Sequence, residues 1–247
     1  MSRRRHNRLS AGTRRAIAAL AAAWALAMGA AASAATTPAA ASDSLAVAGP
    51  RAELLALAER AADRYLADHA VAQPQLLTVI DYSLPSTEPR LWVIDRAHGR
   101  VLFRDLVAHG RGSGENYATR FSNQDGSLES SLGLFLTEDT YIGHNGYSLH
   151  LEGLEPGVND RARERTLVMH GAWYVSAEFA REHGRLGRSW GCPALSPDVA
   201  PAVIDRIRDG SLMFVYARDP RWLAASRYLV ASAPSAPAGA SHTAAPR

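Results

Sequence analysis

Cysteine occurs once in the 247 residues, at Cys192, so no internal disulfide can form. The lone thiol is then either inert and buried or reactive. Lying between Gly191 and Pro193, away from any apolar periodicity, it reads as reactive. The net charge is only +3 and many basic residues crowd the first fifteen positions. The body of the chain has no basic stripe interleaved with aromatics, which argues against nucleic acid as a partner. The glycine-rich stretch His109 to Gly114 is not closed by Lys-Ser/Thr, so it is not a phosphate loop and reads as a flexible loop over the site. His144, His150, His170 and Cys192 are zinc-type ligands, but their spacing matches no zinc signature. No metal and no cofactor are expected, and no internal repeat is found.

What is present begins with an Arg-rich start, an Ala-rich apolar run over 16–32 and a small-residue Ala32-Ser33-Ala34 site. That is the layout of a secretory signal over 1–34, and Arg14-Arg15 is similar to a twin-arginine signal. The expectation is export to the periplasm or cell exterior, with no membrane span after signal removal. Residues 35–50 read as a flexible linker and 231–247 as a disordered tail. About 180 residues remain between them, enough for one domain over 51–230; a monomer is expected.

Within it, 51–70 has helical spacing of Leu54, Leu55, Ala58, Ala61, Ala62, Tyr65 and Leu66. Strands are expected at 75–82, 90–95 and 100–107, the last two as a hairpin about Ala97-His98-Gly99. Further strands are expected at 131–138, within 141–151 after a Gly143/Asn145/Gly146 turn, at 166–169 and at 212–217. Short helices are expected at 159–165, 174–183 and 222–230. A longer one runs from Ser196-Pro197-Asp198 to about Arg208, with Pro197 in its first turn and Gly210 as its stop. The fold class is mixed and β-dominated (α+β).

The chemistry gathers in His170-Gly171 and, after a helix-length spacer, Ser189-Trp190-Gly191-Cys192-Pro193. A thiol needs a base within hydrogen-bond reach to become a nucleophile, and a strand and loop folded back on the intervening helix would bring His170 to Cys192. This His-Gly, spacer, Ser-x-Gly-Cys order resembles the L,D-transpeptidase (YkuD-like) catalytic domain, in its branch with Gly-Arg-Ser-Trp-Gly-Cys-Pro at the nucleophile. The resemblance covers roughly 131–216. It departs from the commoner pattern in Trp190, which replaces a frequent His, and in Pro193-Ala194. It implies a YkuD-like β-sandwich with an added N-terminal helix.

The resemblance also implies roles. Cys192 is the nucleophile and His170 the base, oriented by the carbonyl of Gly171 or Ala172. Ser189 shapes the turn, and the amides of Gly191 and Cys192 face the oxyanion. Arg188, Trp190, Tyr174 and His144 are candidate substrate contacts, Arg188 for a carboxylate and Trp190 and Tyr174 for packing or lining. The implied substrate is the peptidoglycan stem peptide, acylating the cysteine and then passing to an amine or to water. A secreted cysteine endopeptidase and a wall-binding module without turnover remain open alternatives.

Overall fold

The computed structural model describes residues 47–230. The segments read as signal and tail, and most of the linker, lie outside the described residues. Among those described, no helix is long and apolar enough to cross a membrane.

The order is α1 (Ala52–Leu66), β1 (Leu76–Asp81), β2 (Leu91–Asp95), β3 (Arg100–Asp105), β4 (Gly133–Gly143), β5 (Gly146–Gly153), β6 (Val168–Gly171), α2 (Ala177–His183), β7 (Ala194–Leu195), α3 (Ala200–Ile207), β8 (Leu212–Tyr216) and α4 (Pro220–Ala225). All strands join one eight-stranded sheet in the order β3-β2-β1-β8-β4-β5-β6-β7. The mixed, β-dominated reading therefore holds. Pairing is parallel for β1 with β8 and β6 with β7, and antiparallel elsewhere.

Burial explains the arrangement. Every residue of β1, β2 and β8 is buried, as suits central strands covered on both faces. The outer strand β3 is buried at none of its positions. Helix α1 turns Leu54, Ala58, Ala61, Ala62 and Tyr65 inward, and Arg96 ties its polar face down through Glu59 and Asp63. Helix α3 buries Val203, Ile204 and Ile207 near β5 and β6.

Several boundaries differ from the sequence expectation. No helix forms over 159–165; turns run there instead. The reason is that Asn159 is committed elsewhere. Its Nδ2 donates to the Leu132 and Leu134 carbonyls, both at 2.9 Å, while its Oδ1 accepts from Glu155 N at 2.8 Å. Glu155, also buried, accepts from Leu134 N at 2.9 Å. Thr166 leaves the turn at φ 53°, so β6 begins only at Val168. Helix α2 starts at Ala177, later than expected, because Ser176 caps it by accepting from Phe179 N. Pro197 precedes α3 rather than opening it; the helix begins at Ala200 with a proline in its first turn.

The stretch His109 to Gly114 is the largest correction: it is a packed wedge, buried at His109, Gly110 and Ser113, not a flexible flap. His109 is wholly buried, as is Arg90 beneath it. Arg90 Nε and Nη2 donate to the Val107 carbonyl at 3.0 and 2.8 Å, and Nη1 to the Leu84 carbonyl at 2.8 Å. Nη2 also donates to His109 Nδ1 at 2.7 Å. Because the guanidinium has no lone pair to offer, that contact makes Nδ1 an acceptor and leaves the proton on Nε2. Burial, then the neighbouring Arg90 charge, pushes the imidazole pKa down to about 3.

The sign of the linkage follows. Between about 3 and the unfolded value of 6.5, the unfolded chain binds a proton at His109 that the folded chain does not. Stability is therefore present above 6.5 and lost as pH falls. The full loss is on the order of 5 kcal/mol. Denaturant melts between pH 7 and 4 should show this slope in wild type. His109→Gln, which cannot take the proton, should flatten it, and parallel slopes would contradict the assignment.

Candidate active site

Strand β6 carries His170 at its buried end, and the parallel register His170↔Ala194 brings the chain just after Cys192 alongside it. Both residues are buried, at 5% and 8% exposure, and both line one pocket of about 550 Å³. His170 Nδ1 lies 3.0 Å from the Gly171 carbonyl. A carbonyl only accepts, so Nδ1 carries the hydrogen and Nε2 keeps its lone pair. Gly171 is also tight: a Cβ there would sit 3.3 Å from Ala200 Cβ and Pro197 Cα.

The thiol does not touch that lone pair in this state. Val168 N donates to Cys192 Sγ at 3.5 Å, and Sγ lies 3.8 Å from the Thr166 carbonyl. Burial pushes the Cys192 thiol pKa up. Burial pushes the His170 imidazole below its ordinary 6.5, against a smaller opposing effect of the Gly171 hydrogen bond. The resting pair is therefore neutral thiol with neutral imidazole.

The nucleophile loop is held from within and from behind. Ser189 Oγ donates to the Cys192 carbonyl at 2.6 Å and accepts from Gly191 N at 3.1 Å. That bond removes the Gly191 amide from the expected oxyanion pair; the Cys192 amide donates to no other residue among those described. Gly191 sits at φ 131°, where a side chain would be strained, and a Cβ would lie 2.8 Å from the Glu129 carbonyl. Behind it, a Cβ on Gly110 would stand 2.8 Å from Gly191 Cα. Ser130 Oγ accepts from Gly110 N at 3.0 Å and donates to the Gly191 carbonyl at 2.9 Å. Ser189 N donates to the His109 carbonyl at 3.0 Å and Arg111 N to the Ser189 carbonyl at 2.8 Å.

The remaining expected residues fall as follows. Arg188 lines the pocket, but its Nη1 donates to Glu115 at 2.6 Å and to the Gly114 carbonyl at 3.0 Å, so its charge is already paired. Trp190 is 71% exposed at the pocket rim, not packed, with the Arg111 guanidinium 5.7 Å from its ring. Tyr174 lines the pocket and fills the space that a Cβ on Gly187 would need. His144 lines it from the β4–β5 turn. His150 does not. It stacks on Tyr141 and its Nδ1 donates to the Asp139 carboxylate at 3.0 Å, apart from the other three zinc-type residues. Among the described residues no group of three or more His, Cys, Asp or Glu is placed to hold a metal.

Sequence reasoning missed Arg165, Thr166, Asp125 and Leu128, which also line the pocket. Thr166 and Leu128 both have positive φ, at 53° and 60°. Neither residue type signals that conformation in a sequence, and strain of this kind gathers at functional sites.

The sequence matches the family YkuD_2, L,D-transpeptidase catalytic domain, over residues 51–216, two thirds of the chain. The chain belongs to this family. Among solved structures, an L,D-transpeptidase from Mycobacterium smegmatis is 16% identical, with a TM-score of 0.36, over 58% of this chain and 59% of that one. An L,D-transpeptidase (Yku) from Stackebrandtia nassauensis is 15% identical, with a TM-score of 0.34, over 67% of each chain. The helical cell shape determining protein Pgp2 from Campylobacter jejuni is 13% identical, with a TM-score of 0.39, over 69% of this chain and 58% of its own. This chain thus spans less than two thirds of the length of the first of these relatives. No curated protein matches it.

The Ser130 bridge gives a direct test. Ser130→Ala leaves a buried amide and a buried carbonyl behind the nucleophile without their hydroxyl partner, at a cost of about 1–3 kcal/mol. The melting midpoint should fall by several degrees, at roughly 2–4 °C per kcal/mol. An unchanged midpoint would show that the hydroxyl does not hold the two strands of backbone together.

Proposed function

We propose that the protein is a peptidoglycan L,D-transpeptidase working through a Cys192 thioester. One observation carries the reading: His170, its Nδ1–H spent on Gly171, offers a free Nε2 to the pocket that also holds the only thiol. Attack requires the thiol to leave the Thr166 carbonyl and meet Nε2; such bonds are commonly loose before substrate binds. The sulfur proton passes to Nε2 as sulfur bonds to the carbonyl carbon of the L-centred diamino-acid residue of a tetrapeptide stem. The charge on oxygen faces the Cys192 amide. Collapse breaks the peptide bond, the imidazolium returns its proton to the departing amine, and D-alanine leaves. An acceptor amine then attacks the thioester, gives its proton to His170, and releases the thiol as the new amide forms.

Catalytic roles go to Cys192 and His170, with Gly171, Ser189 and Gly191 holding them in place. Tyr174, Trp190 and His144 line the path of the stem. Arg188, paired with Glu115, shapes the wall rather than receiving a carboxylate. The Arg-rich, Ala-rich start supports action in the cell envelope, outside the cytoplasm.

Purified protein incubated with tetrapeptide muropeptides should yield a cross-linked dimer and free alanine. Intact mass should show an acyl adduct on wild type and none on Cys192→Ala. His170→Ala should form it roughly 10²–10⁴-fold more slowly. Because burial holds His170 neutral at pH 7, the acid limb of acylation should lie below the ordinary imidazole value of 6.5. Alanine loss without dimer would select the carboxypeptidase reading, cleavage of existing cross-links the endopeptidase, and unchanged stems a module without turnover.

A further inference from the structure

Two arginines line the pocket, and they differ in what neutralises them. Arg188 has Glu115 at 2.6 Å. Arg165 is buried, and among the described residues its hydrogen bonds go only to neutral groups, while the Asp125 and Glu129 carboxylates act on it without hydrogen-bonding it. Its Nη1 donates to the Ser122 carbonyl and the Ser131 hydroxyl, both at 2.6 Å. Its Nη2 donates to the Glu129 carbonyl at 2.7 Å and the Ser127 hydroxyl at 3.1 Å. The Glu129 carboxylate is taken up by Arg120 at 3.5 Å. A buried cation with no carboxylate in contact favours a further anion nearby. The next residue, Thr166, presents the carbonyl that the Cys192 thiol faces.

We propose that Arg165 is the counter-cation of the Cys192 thiolate, a positioning residue that acts through the nucleophile by holding its charge once the proton has gone to His170. The inference rests on Cys192 being the nucleophile proposed above. When the thiol ionises, Val168 N–H remains a favourable donor to sulfur, whereas the Thr166 carbonyl turns from acceptor into a repelling dipole. The fixed charge of Arg165 offsets that change and part of the desolvation that otherwise keeps the thiol protonated. The charge effect of Arg165 on Cys192 runs in this direction.

The other groups around the sulfur do not substitute for it. Tyr82 and Tyr174 are both pushed up to about 12 by burial and stay neutral. His170 becomes a cation only by taking the thiol's own proton. Asp125, Tyr141, His144 and Arg188 complete the charged and titratable lining; Arg188 is paired, and the Asp125 carboxylate acts on Arg165 itself.

Alkylation of the full chain by iodoacetamide, followed by intact mass across pH, reads the thiolate directly. Arg165→Gln should raise the midpoint by about one unit or more, a roughly tenfold loss of thiolate at a given pH below it. Arg165→Lys, which keeps the charge, should restore most of the shift. Ser131→Asp places a carboxylate on the guanidinium and should raise the midpoint while Arg165 remains. Ser127→Ala removes a hydrogen bond and no charge, and should leave the midpoint in place. Should Arg165→Gln not fold, Arg165→Lys and Ser131→Asp carry the comparison. A wild-type midpoint in Arg165→Gln or Ser131→Asp overturns the proposal, as does a Ser127→Ala shift as large as that of Arg165→Gln. Alkylation does not depend on stem processing. Absent turnover with an intact shift therefore refutes the transpeptidase reading alone, and turnover without the shift refutes this one alone.

Discussion

The contact on which this site depends is backbone against backbone, Gly110 on Gly191. Neither position has room for a side-chain carbon, since each would drive into main chain that has nowhere to go. Ser130 closes the contact from the side by bonding both residues. The nucleophile loop is therefore set by the placement of 109–114, and that placement is set by the buried Arg90–His109 pair. Side chains that take no part in the chemistry thus determine where the sulfur stands.

Burial dictates the electrostatics that follow. Cys192 and His170 are both desolvated, and desolvation penalises the charged form of each. A neutral thiol resting between a carbonyl and an amide is a poor nucleophile and a poor target for oxidants, which act on the thiolate. For a single cysteine read as exported, that restraint has a clear use: reactivity rises only when the thiol meets Nε2.

The parts of the fold legible in the sequence were those with strong local signals. The periodicity of α1, the hairpin about Ala97-His98-Gly99, and the apolar runs of β1 and β8 all appear close to where they were expected. That the Cys192 and His170 segments meet at one pocket was legible because residue type and order mark both. The pocket's other wall was not. The glycines of 109–114 read as freedom, whereas close backbone approach requires them, Gly110 against Gly191, Gly112 against Ser127 and Gly114 against Tyr117. Asn159 read as part of a helix because nothing local shows that its side chain bonds to β4. The two-residue strand β7 has no periodicity to detect; it exists because the loop after Cys192 falls beside β6.

Thr166 joins these levels. A β-branched residue at φ 53° costs of order 1–3 kcal/mol and persists only where its surroundings over-determine it. Here the restraints lie on both sides. Upstream, Asn159 and Glu155 lock the turn onto β4, and Leu167 N donates to the Ala162 carbonyl at 2.9 Å. Alongside, Arg165 is fastened at four points to the segment 122–131. The strained residue then aims its carbonyl at the sulfur, and its predecessor brings a buried guanidinium with no carboxylate in contact to the same pocket. The strain, the buried arginine and the turn where a helix was expected are therefore one feature: the chain is bent against its local preference, so that Thr166 turns its carbonyl to the thiol and Arg165 lines the same pocket that His170 enters from the strand.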